Sequence, residues 1–229
     1  MRSLNVDYFG DRREAGRRLA RHLSDLRAAD PVIVALPRGG VPVAAEIAEA
    51  LGAPLEILAV RKLGAPGNPE YGVGAIAEDG TRVVDPEATA VVGVRNSELD
   101  EITERERAEL RRRVRLYRGD RRPADLRGRT VVIVDDGAAT GLTDIAAIRA
   151  IRRQEPGSVI VALPVCSAEA LAMLRVEADQ VVCLRAPSPF LGVGQWYRDF
   201  RQVSDQEVID ALRQRAFAAN EMVPNPGGV

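Results

Sequence analysis

Thirteen consecutive residues constrain this chain more than any others: Val131-Val132-Ile133-Val134-Asp135-Asp136-Gly137-Ala138-Ala139-Thr140-Gly141-Leu142-Thr143. The β-branched run reads as a strand buried on both faces, the form strands take in parallel α/β sheets. Ligands of such sheets bind just outside the carboxyl ends of the strands, which is where Asp135 and Asp136 stand. The loop that follows is built of small and hydroxylic residues, so backbone N–H groups can crowd around an anion. Leu142 then opens a helix whose N-terminus adds partial positive charge. With the hydroxyls of Thr140 and Thr143, residues 137–141 form a phosphate cradle. Two adjacent carboxylates would repel a bare phosphate, so they must face something else. Sugar hydroxyls and a hydrated divalent cation suit them.

The rest of the chain alternates strands and helices. Residues 11–27 form an amphipathic pattern with Asp11 near its start and Ala15, Leu19, Leu23 and Leu26 on one face. A β-branched run in PVIVALPRGG leads through a loop into an alanine-rich helix at 41–51, and 55–60 reads as a second buried strand. Residues 64–80 are dense in Gly and Pro, which predicts a mobile loop with at most a short strand near 73–77; 81–84 reads as another. A long charged helix covers 98–117, with the stripe Leu99, Ile102, Leu110, Val114 and Tyr117. Strands follow at 130–134, 158–163 and 180–184, and helices at 142–153, 168–176 and 206–218. Apolar strands in this alternation predict an α/β fold: an open parallel, doubly wound sheet with helices on both faces. Residues 1–218 read as a single domain with a core at about 30–185 and a C-terminal hood and helix at 186–218. Residues 219–229 read as a disordered tail.

Composition removes several alternatives. A net charge of −1 gives no global attraction to nucleic acid or anionic membrane, so phosphate binding must come from a local site. The arginines at 111, 112, 113 and 115 alternate with glutamates at 101, 104, 106 and 109, the mark of a solvated helix face. Neither a signal-peptide segment nor an apolar run long enough to span a bilayer is legible, which predicts a cytoplasmic protein without membrane association. The single histidine, His22, lies in an arginine- and leucine-rich helix, which argues against a histidine triad or a multi-histidine metal site. Cys166 and Cys183 sit in apolar surroundings without metal-ligand spacing and read as reduced core residues. Gly72-Val73-Gly74-Ala75-Ile76-Ala77 matches a dinucleotide fingerprint, but it follows a Gly/Pro loop and no helix pattern succeeds it. No Gly-Lys pair occurs, which excludes a Walker A loop.

Asp-Asp-x-x-x-Thr-Gly-x-Thr after an apolar strand resembles the ribose-phosphate signature of the type I phosphoribosyltransferases, and all its positions are filled here. The resemblance implies that family's fold, with a flexible loop and a small hood, and a ligand, 5-phosphoribosyl-1-diphosphate (PRPP), bound with Mg²⁺. Asp135 and Asp136 would contact the ribose 2′- and 3′-hydroxyls, directly or through magnesium held mainly by ligand or water. Gly137, Ala138, Ala139, Thr140, Gly141 and Thr143 would hold the 5′-phosphate. The family's pyrophosphate loop, which often carries a cis peptide, falls on Pro37-Arg38-Gly39-Gly40. Arg38 would chelate phosphate oxygens there, and Gly39 and Gly40 would allow close backbone approach. Lys62, the only lysine, stands where the family often places a basic residue near the diphosphate; Arg61 could serve instead. Residues 64–80 match the loop that closes over the reacting centre.

The same resemblance places an acceptor base under the hood, where PSPFLGVGQWYRD offers Phe190 as a stacking ring beside Trp196. These aromatics equally fit a hydrophobic patch packing the C-terminal helix, and the sequence leaves both readings open. Hypoxanthine-guanine enzymes carry an acidic residue where this chain has Ala139, which puts 6-oxopurine specificity by that route in doubt. The implied activity is magnesium-dependent transfer of phosphoribosyl to a nitrogen acceptor, a nucleobase by the family's habit, as in nucleotide salvage. The alternative is a non-catalytic module of the same fold that senses PRPP or a nucleotide. Members of the family commonly dimerise, although no interface is legible here.

Overall fold

The protein is described from a computed structural model, which covers residues 8–119 and 121–221. Helix α1 (Arg12–His22) begins where the Asp11 side chain accepts a hydrogen bond from the Glu14 amide. It stops short of residue 27, giving way after Leu23 to a 3-10 turn at Ser24–Ala29. Strand β1 (Val32–Ala35) leads to α2 (Gly40–Leu51) and β2 (Leu55–Ile57). Three strands follow, β3 (Val60–Ala65), β4 (Asn68–Ala77) and β5 (Arg82–Val84), then α3 (Pro86–Val92) and α4 (Asn96–Arg118). The second half runs β6 (Thr130–Val134), α5 (Leu142–Arg152), β7 (Ser158–Val165), α6 (Ala168–Glu177), β8 (Gln180–Arg185) and α7 (Asp205–Glu221). The closing helix thus extends past residue 218, and the rest of the expected tail lies outside the described residues.

Five strands form a wholly parallel sheet in the order β2-β1-β6-β7-β8, with Val34 opposite Ile133 and Ile133 opposite Val161. Consecutive residues of a strand point to opposite faces. Val32, Val34, Val131, Ile133 and Val161 therefore pack under α5 and α6 with Ile148 and Leu174. Ile33, Val132, Ile160 and Ala162 pack under α1, α2 and α7 with Leu19, Ile47 and Val208. Both faces are covered, as the unbroken apolar strands predict.

Two expectations fail around residue 60. The run at 55–60 is not one strand: β2 ends at Ile57, and Val60 starts a second, antiparallel sheet β3-β4-β5. The segment 64–80 is a β-hairpin rather than an irregular loop. The glycines that suggested a loop are what let its backbones approach. A Cβ on Gly64 would lie 2.3 Å from the Pro69 carbonyl oxygen, and one on Gly74 would lie 2.4 Å from that of Val83. Register shifts at Leu63, Gly64 and Ala65 absorb the irregularity as a bulge. Only 73–77 of β4 is buried, which is the part the apolar pattern exposed. The stripe of α4 covers this small sheet, joining Leu99, Ile102 and Leu110 to Leu63, Val73 and Ile76.

The order of the parallel strands fixes where a ligand can sit. β1 continues outward to β2, while β6 flanks β1 on the other side. The switch point lies between β1 and β6, and their carboxyl ends carry residues 36–40 and 135–141.

Candidate functional site

At the switch point the two loops touch. The Leu36 amide donates to the Val134 carbonyl at 2.9 Å, extending the β1–β6 ladder into the loops. The Pro37–Arg38 peptide is cis. A Cβ on Gly39 would fall 2.1 Å from Asp136 Oδ2, and one on Gly40 would fall 2.5 Å from the Val134 carbonyl oxygen. Both glycines are therefore required by close approach to the acidic pair. Behind the second loop, the Ala138 amide donates to the Val165 carbonyl at 3.1 Å, and Ser167 Oγ donates to the Ala139 carbonyl at 2.7 Å. The backbone that would cradle an anion is thus pinned from the β7 side. Gly141 turns the chain into α5 at φ +73°, a conformation that suits glycine. No side chain caps α5, so its first amides remain available as donors.

The acidic pair is electrostatically loaded. Burial pushes Asp135 well above the usual carboxylate range, and repulsion from Asp136 and Asp144 adds to it. Asp136 is also raised by burial, although the Arg12 guanidinium pulls it back. Arg12 Nε donates to Asp136 Oδ2 at 2.7 Å, Arg12 Nη1 donates to the Arg201 carbonyl at 2.9 Å, and the guanidinium carbon sits 3.8 Å from the Phe200 ring centroid. Tyr197 donates its hydroxyl to the Asp136 carbonyl at 2.6 Å. Sequence reading missed Arg12 altogether and gave no role to Tyr197, which lies in the aromatic segment of the hood. Arg12 is one of several arginines in α1, and its site partner lies 124 residues away. Its position directly after the helix-capping Asp11 carries no signal of that contact.

Asp144, in the first turn of α5, is fully buried, and its Oδ1 has no hydrogen-bond partner. Burial raises its carboxyl to about 7. A carboxyl raised in the folded state binds a proton that the unfolded chain has already lost. Its contribution therefore favours folding at low pH and is lost as pH rises through the folded value. Asp144→Asn should accordingly flatten the decline in stability between about pH 4 and 7 and raise the urea midpoint at pH 7.5. An unchanged pH profile would remove Asp144 as its source.

The remaining candidates are distributed unevenly. Arg38 lies in the β1 loop, but its Nη1 is 3.5 Å from Asp205 Oδ1 at the start of α7. Lys62 lies on β3 of the other sheet, where its ammonium donates to the Glu70 carbonyl at 3.0 Å and to Glu70 Oε2 at 3.2 Å. Arg61 is tied to Glu106. Phe190 and Trp196 pack in the hood around Phe9 and Tyr197. The hood reaches the 137–141 loop through Val193, whose Cγ1 would lie 2.6 Å from a Cβ on Gly137. Cys166 and Cys183 are free thiols with sulfurs 3.0 Å apart, beside the bridge that pairs Cys166 with Ala138.

The family model described as the phosphoribosyl transferase domain matches residues 10–189. The chain belongs to that family. It is 44% identical over 204 residues to a protein of Mycobacterium tuberculosis, in strains CDC 1551 and H37Rv, that is provisionally named a phosphoribosyl transferase. That match takes in 89% of this chain but only 46% of the relative, so the chain spans about half the length of the curated proteins it matches. The crystal structure of TT1426 from Thermus thermophilus is 44% identical, superposes with a TM-score of 0.75, and is matched over 90% of this chain and 98% of its own. The open parallel sheet with helices on both faces is thus the phosphoribosyltransferase-type α/β fold expected from the sequence. Among the described residues no helix is long and apolar enough to cross a membrane.

Proposed function

We propose that this phosphoribosyl transferase domain transfers the 5-phosphoribosyl group of PRPP to a nitrogen acceptor, a nucleobase in the first instance, with release of diphosphate. The observation that carries the reading is the contact between the two switch-point loops. Gly39 meets the carboxylate of Asp136 beside an uncapped helix N-terminus. Residues 137–141 and Thr143 bind the 5′-phosphate with backbone amides and hydroxyls. Asp135 and Asp136 accept hydrogen bonds from the ribose hydroxyls and, in a water-poor site, favour positive charge developing on the ribosyl group. The loop with Arg38, Gly39 and Gly40 receives the diphosphate. A C1′–N bond forms as the C1′–O bond breaks, the electron pair leaves with diphosphate, and the proton of the acceptor N–H passes to the departing diphosphate or to water. Positioning and electrostatics carry the rate.

The donors present fit magnesium. Burial and mutual repulsion leave the acidic pair short of positive charge, with Arg12 the named counter-charge at Asp136. Among the described residues no cluster of three or more His, Cys, Asp or Glu could hold a metal by itself. Asp135 and Asp136 would therefore hold Mg²⁺ together with ligand oxygens or water, and the ion would neutralise diphosphate charge. Phe190 and Trp196 are the proposed base-side residues.

Lys62 and Arg38 each hold a carboxylate here, which favours a second reading: a module that senses PRPP without turning it over. Diphosphate release from PRPP and Mg²⁺ across purines, pyrimidines and simple amines separates the two. Release with one acceptor establishes transfer. Ligand-dependent thermal stabilisation with silence toward every acceptor establishes sensing. Silence without stabilisation overturns both.

A further inference from the structure

A cavity of about 590 Å³ opens at the β2 edge of the parallel sheet, between the C-terminal half of α4 and the end of α5. It shares no lining residue with the switch-point loops. The volume lies in the range of small-molecule sites. One part of its wall is apolar, from Val34, Leu58, Val114 and Ile151; the other holds Arg111, Arg115, Arg118 and Arg153. Residues 111, 115 and 118 recur at i, i+4 and i+7 and so share one face of α4.

The charges on α4 are not uniformly neutralised. Arg107 is held by Glu104, and Arg112 and Arg113 by Glu109. Arg111 and Arg115, which line the cavity, have no ion-pair partner among the described residues. Arg118 is 9% exposed and donates to Glu78 and to the Ile57 carbonyl, but its buried Nε has no partner. Three carboxylates also line the space: Glu56, Glu78 and Asp79. Glu78 is taken by Arg118 and the Ala59 amide, and Asp79 by Thr81 and Arg153. Burial raises the Glu56 carboxyl, so it resists negative charge. The balance that remains is cationic beside an apolar wall, in a fork geometry that suits phosphate oxygens.

We propose that this cavity is a second ligand site, separate from the reaction centre, for an organic phosphate with an apolar body of nucleotide size. Arg111 and Arg115 take the phosphate, Arg118 Nε supplies a buried donor, and the apolar wall takes the body.

The test is calorimetric titration of the full chain with nucleoside mono-, di- and triphosphates, with inorganic phosphate and an unphosphorylated nucleoside as controls. Three proteins are compared: the unmodified chain, R111A/R115A, and T140E. Arg111, Arg115 and Thr140 are all exposed, so the variants leave the cores intact. T140E puts a carboxylate in the phosphate cradle of the reaction centre and blocks that site alone. The expected result is a nucleotide that binds the unmodified chain and T140E alike, and R111A/R115A on the order of ten-fold or more weaker. Phosphate or nucleoside alone should bind more weakly than the nucleotide. Binding lost in T140E but kept in R111A/R115A would assign the ligand to the reaction centre and overturn the proposal. So would the absence of binding by every nucleotide. Neither result depends on turnover, so the proposed transfer reaction stands or falls separately.

Discussion

Replacing Asp135 and Asp136 together by Asn should lower phosphoribosyl transfer by on the order of 100-fold or more while the protein stays folded. The two effects have different origins. Asn keeps the size and hydrogen-bonding capacity of each side chain but removes the negative charge on which the proposed contacts to ribose and a cation rest. A loss of stability is expected at Asp136, whose charge Arg12 holds, and not at Asp135. Burial and its acidic neighbours hold Asp135 well above its ordinary range. The folded state therefore loses stability as pH rises from the ordinary carboxylate range toward that raised value, so burial of this carboxyl opposes folding at neutral pH. Asp135→Asn alone should raise the urea midpoint at pH 7.5 as it lowers activity. A double variant that is folded and fully active would remove the acidic pair from the reaction. A variant that unfolds would mean that the pair is structural, with its charge supporting the loop.

The acidic pair and its loop were legible because their chemistry is written in consecutive residues. Small side chains, two carboxylates and a helix start need no tertiary information to be read together. The strands were legible because burial on both faces leaves no alternation to misread. The hairpin at 64–80 was not, since Gly64 and Gly74 serve close strand approach instead of chain freedom, and single-sequence reading cannot separate the two. Helix α3 was missed although its signal was present. Asp85 caps the amides of Glu87 and Ala88, and Pro86 opens the helix, a start pattern that outweighs the brevity of the segment. The direction of Lys62 and Arg38 was beyond reach, because each turns to an acidic residue that only the fold brings near. Arg12 shows the same limit at the site itself.

Replacing Arg12 by Met should cost about 3 kcal/mol of stability at neutral pH, the scale expected when one partner of a buried ion pair is removed. The pair qualifies as buried: its side chains are 10% and 14% exposed. Methionine keeps a stem of similar length but loses the guanidinium over the Phe200 ring and leaves Asp136 without its counter-charge. Burial already raises Asp136, and loss of Arg12 would raise it further. The cost should therefore be small where Asp136 is protonated in both states. It should grow as pH rises through the folded value, so unfolding curves at low and at neutral pH should diverge. Adding Asp136→Asn removes the stranded charge, so the double variant should recover part of the loss, with a coupling of about 1–3 kcal/mol. Arg12→Lys should restore charge but not geometry, since an ammonium cannot reproduce the planar fork that spans Asp136, the Arg201 carbonyl and the Phe200 ring. Equal losses at both pH values, with no coupling, would show that Arg12 acts through packing of α1 on the hood alone. A pH-dependent, coupled loss makes it the residue that favours the charged form of a buried carboxylate beside the 137–141 loop, joining the first helix to Asp136 and, through the Arg201 carbonyl and the Phe200 ring, to the C-terminal hood.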